Sequence, residues 1–105
     1  MFLHLGKDVV VPIKNIIGII DIASIEKSKD SKAFFKISEE EGFVQKISDE
    51  KIKSCVITEE LQKKDKGAQK IVKTVIYYSP ISSTTLQKRA NFLDDIHSSD
   101  EIYVK

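Results

Sequence analysis

Tryptophan is absent from these 105 residues, cysteine and methionine occur once each, proline twice and glycine four times. Each shortage excludes something. The single cysteine, Cys55, forbids an intramolecular disulfide, and its place in the apolar run SCVIT reads as a small buried hydrophobe rather than a reactive thiol. Four glycines leave little material for a phosphate-cradling loop, and there is no P-loop, dinucleotide fingerprint or G-x-S-x-G elbow. The two histidines, His4 and His97, have no cysteine or carboxylate at metal-ligand spacing. Asp94 and Asp95 precede His97, but consecutive aspartates on a helix point in different directions. No catalytic residue, metal site, cofactor or small-molecule substrate follows from this composition, and the chain is read as a non-enzyme.

Long hydrophobic runs are missing as well. VVVPI and IIGII are separated by Lys14 and Asn15 and fall far short of the ~20 residues of a membrane span. Lys7 and Asp8 interrupt the first dozen residues, which excludes a signal peptide. The expectation is a reduced, cytoplasmic protein with no membrane contact.

What is present suits a soluble domain: 41% hydrophobic and 31% charged residues, in a chain too short for two independent cores. Residues 1–96 are read as one domain and residues 97–105 as an acidic tail. The formal net charge of +1 hides an uneven distribution. Residues 1–50 carry seven lysines and nine acids, whereas residues 51–105 carry nine lysines, one arginine and seven acids. A local basic face attracts phosphates even on a near-neutral protein, although a solvated lysine-rich loop gives the same count.

Periodicity supplies the elements. FLHLG and VVV form a hairpin around Gly6-Lys7-Asp8, and Pro12, unable to donate to a ladder, ends the second strand. Pro12 to Asn15 is a tight connector into IIGIIDI, whose continuous apolar character predicts a central strand covered on both faces, with Gly18 allowing either a close backbone approach or a bulge. Ser24 to Glu41 is the first helix, capped by Ser28 or Asp30, with Ala33, Phe34 and Ile37 as its apolar stripe and Gly42 as its left-handed stop. FVQKI and KSCVIT follow as strands joined by Ser48 to Lys51. Glu59 to Gln69 is polar and lysine-rich and reads as a loop. IVKTVIYYS is the last strand, ended by Pro80. A second helix starts in SSTT, with Thr84 and Gln87 at capping-box spacing and Ser82 or Ser83 as alternative caps; Leu86, Ala90, Leu93 and either Ile96 or His97 share its inner face, with Phe92 beside it. The fold class is α+β: a small single domain, a mostly antiparallel sheet of short strands and two helices.

Two segments carry a resemblance. HLGKDVVVPIKNIIGIIDI is similar to the N-terminal segment of the RemA/RemB family of bacterial extracellular-matrix (biofilm) regulators. VIYYSPISSTTLQKRANF is similar to that family's C-terminal strand-to-helix segment, closest to its RemB branch. The resemblance implies a LytTR-like fold, assembly into a homo-oligomeric ring, and transcriptional regulation through basic residues repeated around that ring. Carried over by position, the family's basic connector falls on Lys14 and Asn15, its basic turn on Lys51 and Lys53, and its helix arginine on Arg89. The chain departs from the family in the Glu59–Gln69 stretch, which looks like an insertion, and in lacking an arginine-rich turn before the CVI strand. Lysine holds phosphate as a point charge without the bidentate fork that reads guanine, so DNA contacts should be mainly to the backbone. Ordinary roles compete: Lys14 ends a loop, Lys51 and Lys53 flank Ile52 as the wet side of a strand, and Arg89 fits a subunit-interface ion pair. The rival function is an oligomeric adaptor or scaffold that never touches DNA.

Overall fold

The computed structural model describes the backbone of residues 1–63 and 70–97, and side-chain burial over 1–61 and 72–91. Strands β1 (Phe2–Gly6) and β2 (Val9–Pro12) make a two-stranded antiparallel hairpin. Its turn is strained in the expected way: Gly6 sits at φ 131° and Lys7 at φ 46°, and the His4 ring bonds the Lys7 carbonyl. Glycine is needed at position 6 for a second reason. A Cβ there would lie 3.1 Å from the Pro80 ring and 3.3 Å from Ile47.

A single 3₁₀ turn, Ile13–Asn15, delivers the chain into β3 (Ile16–Asp21). The second sheet has the order β3–β5–β6–β4, with β4 at Val44–Lys46, β5 at Ser54–Lys63 and β6 at Lys70–Ser79. The expectation that IIGIIDI is central is therefore corrected: β3 is an edge strand. The apolar run is explained by cover on its two faces rather than by two neighbours. Ile16 and Ile19 pack into one core, and Ile20 into the other. The register slips between Ile16 and Gly18, so the bulge expected at Gly18 is present and leaves Ile17 facing solvent. Pairing is antiparallel except for β4, which runs parallel to β6.

The predicted helix over Ser24–Glu41 is two helices, giving three α-helices among the described residues rather than two: α1 (Ile22–Glu26), α2 (Lys29–Glu40) and α3 (Ser83–His97). Asp21 caps α1 by accepting from the Ala23 N–H at 3.1 Å, and Ser28 caps α2 by accepting from Ser31 N–H at 3.2 Å. Gly42 at φ 80° closes α2, with Gly42 N–H bonded to Glu39 O at 3.2 Å and Phe43 N–H to Ser38 O at 2.9 Å, the paired bonds of a Schellman stop. The stripe assigned to α2 is off by one position. Phe35 is 6% exposed while Phe34 and Ile37 are 53% and 56% exposed. Ser38 shares the inner face with Phe35, and its hydroxyl donates to Phe34 O at 2.9 Å, which removes the cost of burying it. A buried serine is what hid the register from a hydrophobic pattern.

The Glu59–Gln69 loop is corrected over its first five residues. β5 continues through Lys63 and pairs with β6, setting Glu60 opposite Lys73 and Leu61 opposite Val72. Residues 64–69 lie outside the described part, as do residues 98–105 of the expected tail and the side chains of Phe92, Leu93 and Ile96.

Two cores flank the sheet. Leu3, Leu5, Val11, Ile47, Val56 and Leu86 fill one, beneath the hairpin and α3; Ile25, Phe35, Cys55 and Ile76 fill the other, beneath α1 and α2. A serine network pins the chain where β6 turns into α3. Ser79 Oγ donates to Leu5 O at 2.6 Å and accepts from Ile81 N–H at 3.0 Å, and Ser54 Oγ donates to Ile81 O at 2.8 Å. The helix cap is Ser82, which accepts from Thr85 N–H at 3.2 Å.

Candidate nucleic-acid interface

Lys14 stands on the 3₁₀ turn that Pro12 forces after β2. Ile13 N–H bonds to Met1 O at 2.9 Å, so the N-terminus ties the turn down. Lys14 is exposed and Asn15 half-buried. Both line a cleft with Pro12, Ile17, Glu59, Glu60 and Leu61, formed where β3 ends and β5 runs on. Asn15 also borders a second cleft that holds Glu60 and Lys73. Lys73 is exposed, and sequence reasoning missed it. It is 58 residues from Asn15 along the chain, and only the β5–β6 register brings it here.

Lys51 and Lys53 lie on the segment entering β5. The Lys53 backbone is clamped on both sides, its N–H bonded to Ser79 O at 2.9 Å and its O to Ile22 N–H at 3.1 Å. Their side chains are exposed while Ile52 between them is half-buried against α1 and α2. Upstream, Ser48 Oγ accepts from Glu50 N–H at 3.3 Å and holds the Glu50 carboxylate at 3.4 Å. Arg89 is exposed on α3, beside Ala90, which packs on the core with the buried Leu86.

These positions do not form one patch in a protomer. Ile16 pairs with Thr58 and Asp21 with Ser54, so Lys14 and Lys53 sit beyond opposite ends of β3. Six residues of strand at ~3.3 Å each separate them by roughly 17 Å or more. Carboxylates accompany both ends, Glu59 and Glu60 beside Lys14 and Glu50 beside Lys51.

The titratable groups with shifted behaviour are elsewhere. Burial, and then the Glu39 charge, push the Cys55 thiol up to about 12, so it stays protonated and unreactive at neutral pH. Burial also raises Tyr78, reinforced by the hydrogen bond its hydroxyl donates to Glu39 Oε2 at 2.8 Å. Among the described residues no group of three or more His, Cys, Asp or Glu is placed to hold a metal. No helix among them is long and apolar enough to cross a membrane. The arrangement offers exposed lysines beyond the two ends of β3.

Two comparisons with known proteins match most of the chain. The family model described as extracellular matrix regulatory protein A-like (RemA-like) matches residues 2–90, a span that contains all five predicted contact positions. The extracellular matrix regulatory protein B of Bacillus subtilis (strain 168) is 38% identical over 109 aligned residues, covering 93% of this chain and 100% of that protein.

Proposed function

We propose that this chain, which belongs to the RemA-like family of extracellular matrix regulatory proteins, is a homo-oligomeric DNA-binding transcriptional regulator of matrix genes. Lys14, Lys51 and Lys53 hold phosphates, Asn15 supports the connector, and Arg89 serves a phosphate or a neighbouring subunit. The observation that carries this reading is the exposure of four cations at the family's basic positions, Lys14 beyond one end of β3, Lys51 and Lys53 beyond the other, and Arg89 on α3. One protomer offers only a few phosphate contacts at each end. Assembly repeats them along one DNA segment, so weak contacts become strong through avidity.

A second reading has its own observation. Glu59 and Glu60 share the cleft of Lys14 and Asn15, which weakens the local field for phosphate and favours an oligomeric adaptor for a protein partner. Size exclusion with light scattering, followed by a DNA mobility shift on the same fraction, separates the two. The regulator reading expects an oligomer that retards duplex DNA at low salt, with Lys14→Ala and Lys51→Ala weakening all sequences alike. Intact oligomers that retard no duplex would establish the adaptor.

A further inference from the structure

We propose that the free edge of β5, Glu59–Lys63, is a two-fold docking surface on which a second copy of this chain adds its own β5 edge, antiparallel and centred on Leu61. The proposal rests on the homo-oligomer reading above and names one contact of that assembly.

β3 pairs with β5 no further than Thr58, and β4 pairs with β6 only at Ile76–Tyr78. Beyond those points, among the described residues, Glu59–Lys63 and Lys70–Thr74 pair with each other alone, as a ribbon with two open edges. The direction of the unused backbone groups follows from the ladder. Ile76 sends its N–H outward to Phe43 O at 2.8 Å, so Thr74 and Val72, two and four residues back, also face outward. Their directly opposed partners, Glu59 and Leu61, face outward on the other side. Glu59 and Leu61 therefore present N–H and C=O groups to a further strand, the template that sheet edges offer for strand addition.

Side chains choose the occupant. Leu61 is 66% exposed, the highest among the exposed large apolar residues, and Ile17, 58% exposed, lines the same cleft. The edge reads Glu59-Glu60-Leu61-Gln62-Lys63. Paired antiparallel with its own copy about Leu61, it sets leucine against leucine, position 59 against position 63, and thus acid against base twice over. The contact is isologous, so a single two-fold axis satisfies every element of it. It also places a lysine opposite Glu59, offsetting one of the two carboxylates that line the Lys14 cleft.

The test is the solution mass at low salt of the full chain and three variants. Leu61→Lys puts two cations at the centre of the contact, and Glu59→Lys sets like charges against position 63. Each should lower the mass at least two-fold, with far-UV circular dichroism unchanged. Glu59→Lys combined with Lys63→Glu reverses both charges and should restore the wild-type mass. Inside the ribbon Glu59 faces the uncharged Thr74, so the loss of mass in Glu59→Lys reports the contact between copies and not the ribbon itself. Wild-type mass in both single variants would overturn the contact while leaving the oligomer intact, and failure of the double variant to restore assembly would overturn the register. A wild-type chain of 11.9 kDa in solution would instead remove the oligomer reading, and this contact with it.

Discussion

Over Ser54–Thr58 and Val75–Ser79, β5 and β6 lie inside a four-stranded sheet with a core on each face; over Glu59–Lys63 and Lys70–Thr74 the same two strands continue with no further strand paired to them among the described residues. The cross-strand ladder is uninterrupted from one region to the other. Cover is what changes. Cys55, Val56 and Ile76 are buried at one end, and Leu61 and Val72 are exposed at the other. A backbone ladder by itself gives a two-stranded ribbon only marginal stability in water. The body therefore holds the fold, and the ribbon is left as surface available to a partner.

The contrast is sharpest in Leu86→Ala. Leu86, on the inner face of α3, is fully buried, and its truncation should cost about 2–5 kcal/mol in urea unfolding followed by circular dichroism. A cost near zero would mean that α3 does not seal the hairpin core. Next comes Gly6→Ala, which combines a positive φ of 131° with a Cβ 3.1 Å from Pro80. The expected loss is about 1–3 kcal/mol by the same measurement, and an unchanged midpoint would refute the account of the turn.

The body should also be sensitive to alkali. In the unfolded chain the Cys55 thiol ionises near 9.0, whereas in the fold it is pushed up to about 12. A raised pKa contributes stability that is complete below the unfolded value and is lost as pH climbs through the folded one. Melting temperature should thus fall between about pH 9 and pH 12, with Tyr78 adding to the loss in the same direction because its pKa is raised too. Cys55→Ala should fall less steeply over that interval; parallel curves would show that the thiol is not the source. The smallest effect is expected in the ribbon. Leu61→Ala should change protomer stability by no more than about 0.5 kcal/mol when measured dilute enough to be monomeric. A loss as large as that of Leu86→Ala would erase the distinction between the two regions.

Much of the body was legible in the sequence because its local signals agree with its tertiary environment. The hairpin around Gly6, the bulge at Gly18, the Ser28 cap, the Gly42 stop and the Pro80 break each rest on backbone chemistry that one or two residues dictate. What failed to read depends on distant partners. Glu59–Lys63 looks like a loop because a strand with no buried face has no apolar period. Phe34 and Phe35 are equally hydrophobic, and only Cys55 and Ile76 across the interface decide which turns inward. The exposure of Lys14, Lys51, Lys53 and Arg89 was readable from their local settings. The separation of Lys14 from Lys53, and the presence of Lys73 beside Asn15, required the strand register.

The most direct test of DNA binding through phosphates is the salt dependence of affinity, measured by fluorescence anisotropy on a duplex from 50 mM salt upward. Each phosphate neutralised contributes roughly −0.9 to the slope of log affinity against log salt. The account predicts a steep slope for the wild-type oligomer. It predicts a flatter one for Lys51→Ala at unchanged oligomer mass, with the loss shared by unrelated sequences. An affinity indifferent to salt, or a slope unmoved by Lys51→Ala and Lys14→Ala together, would contradict it.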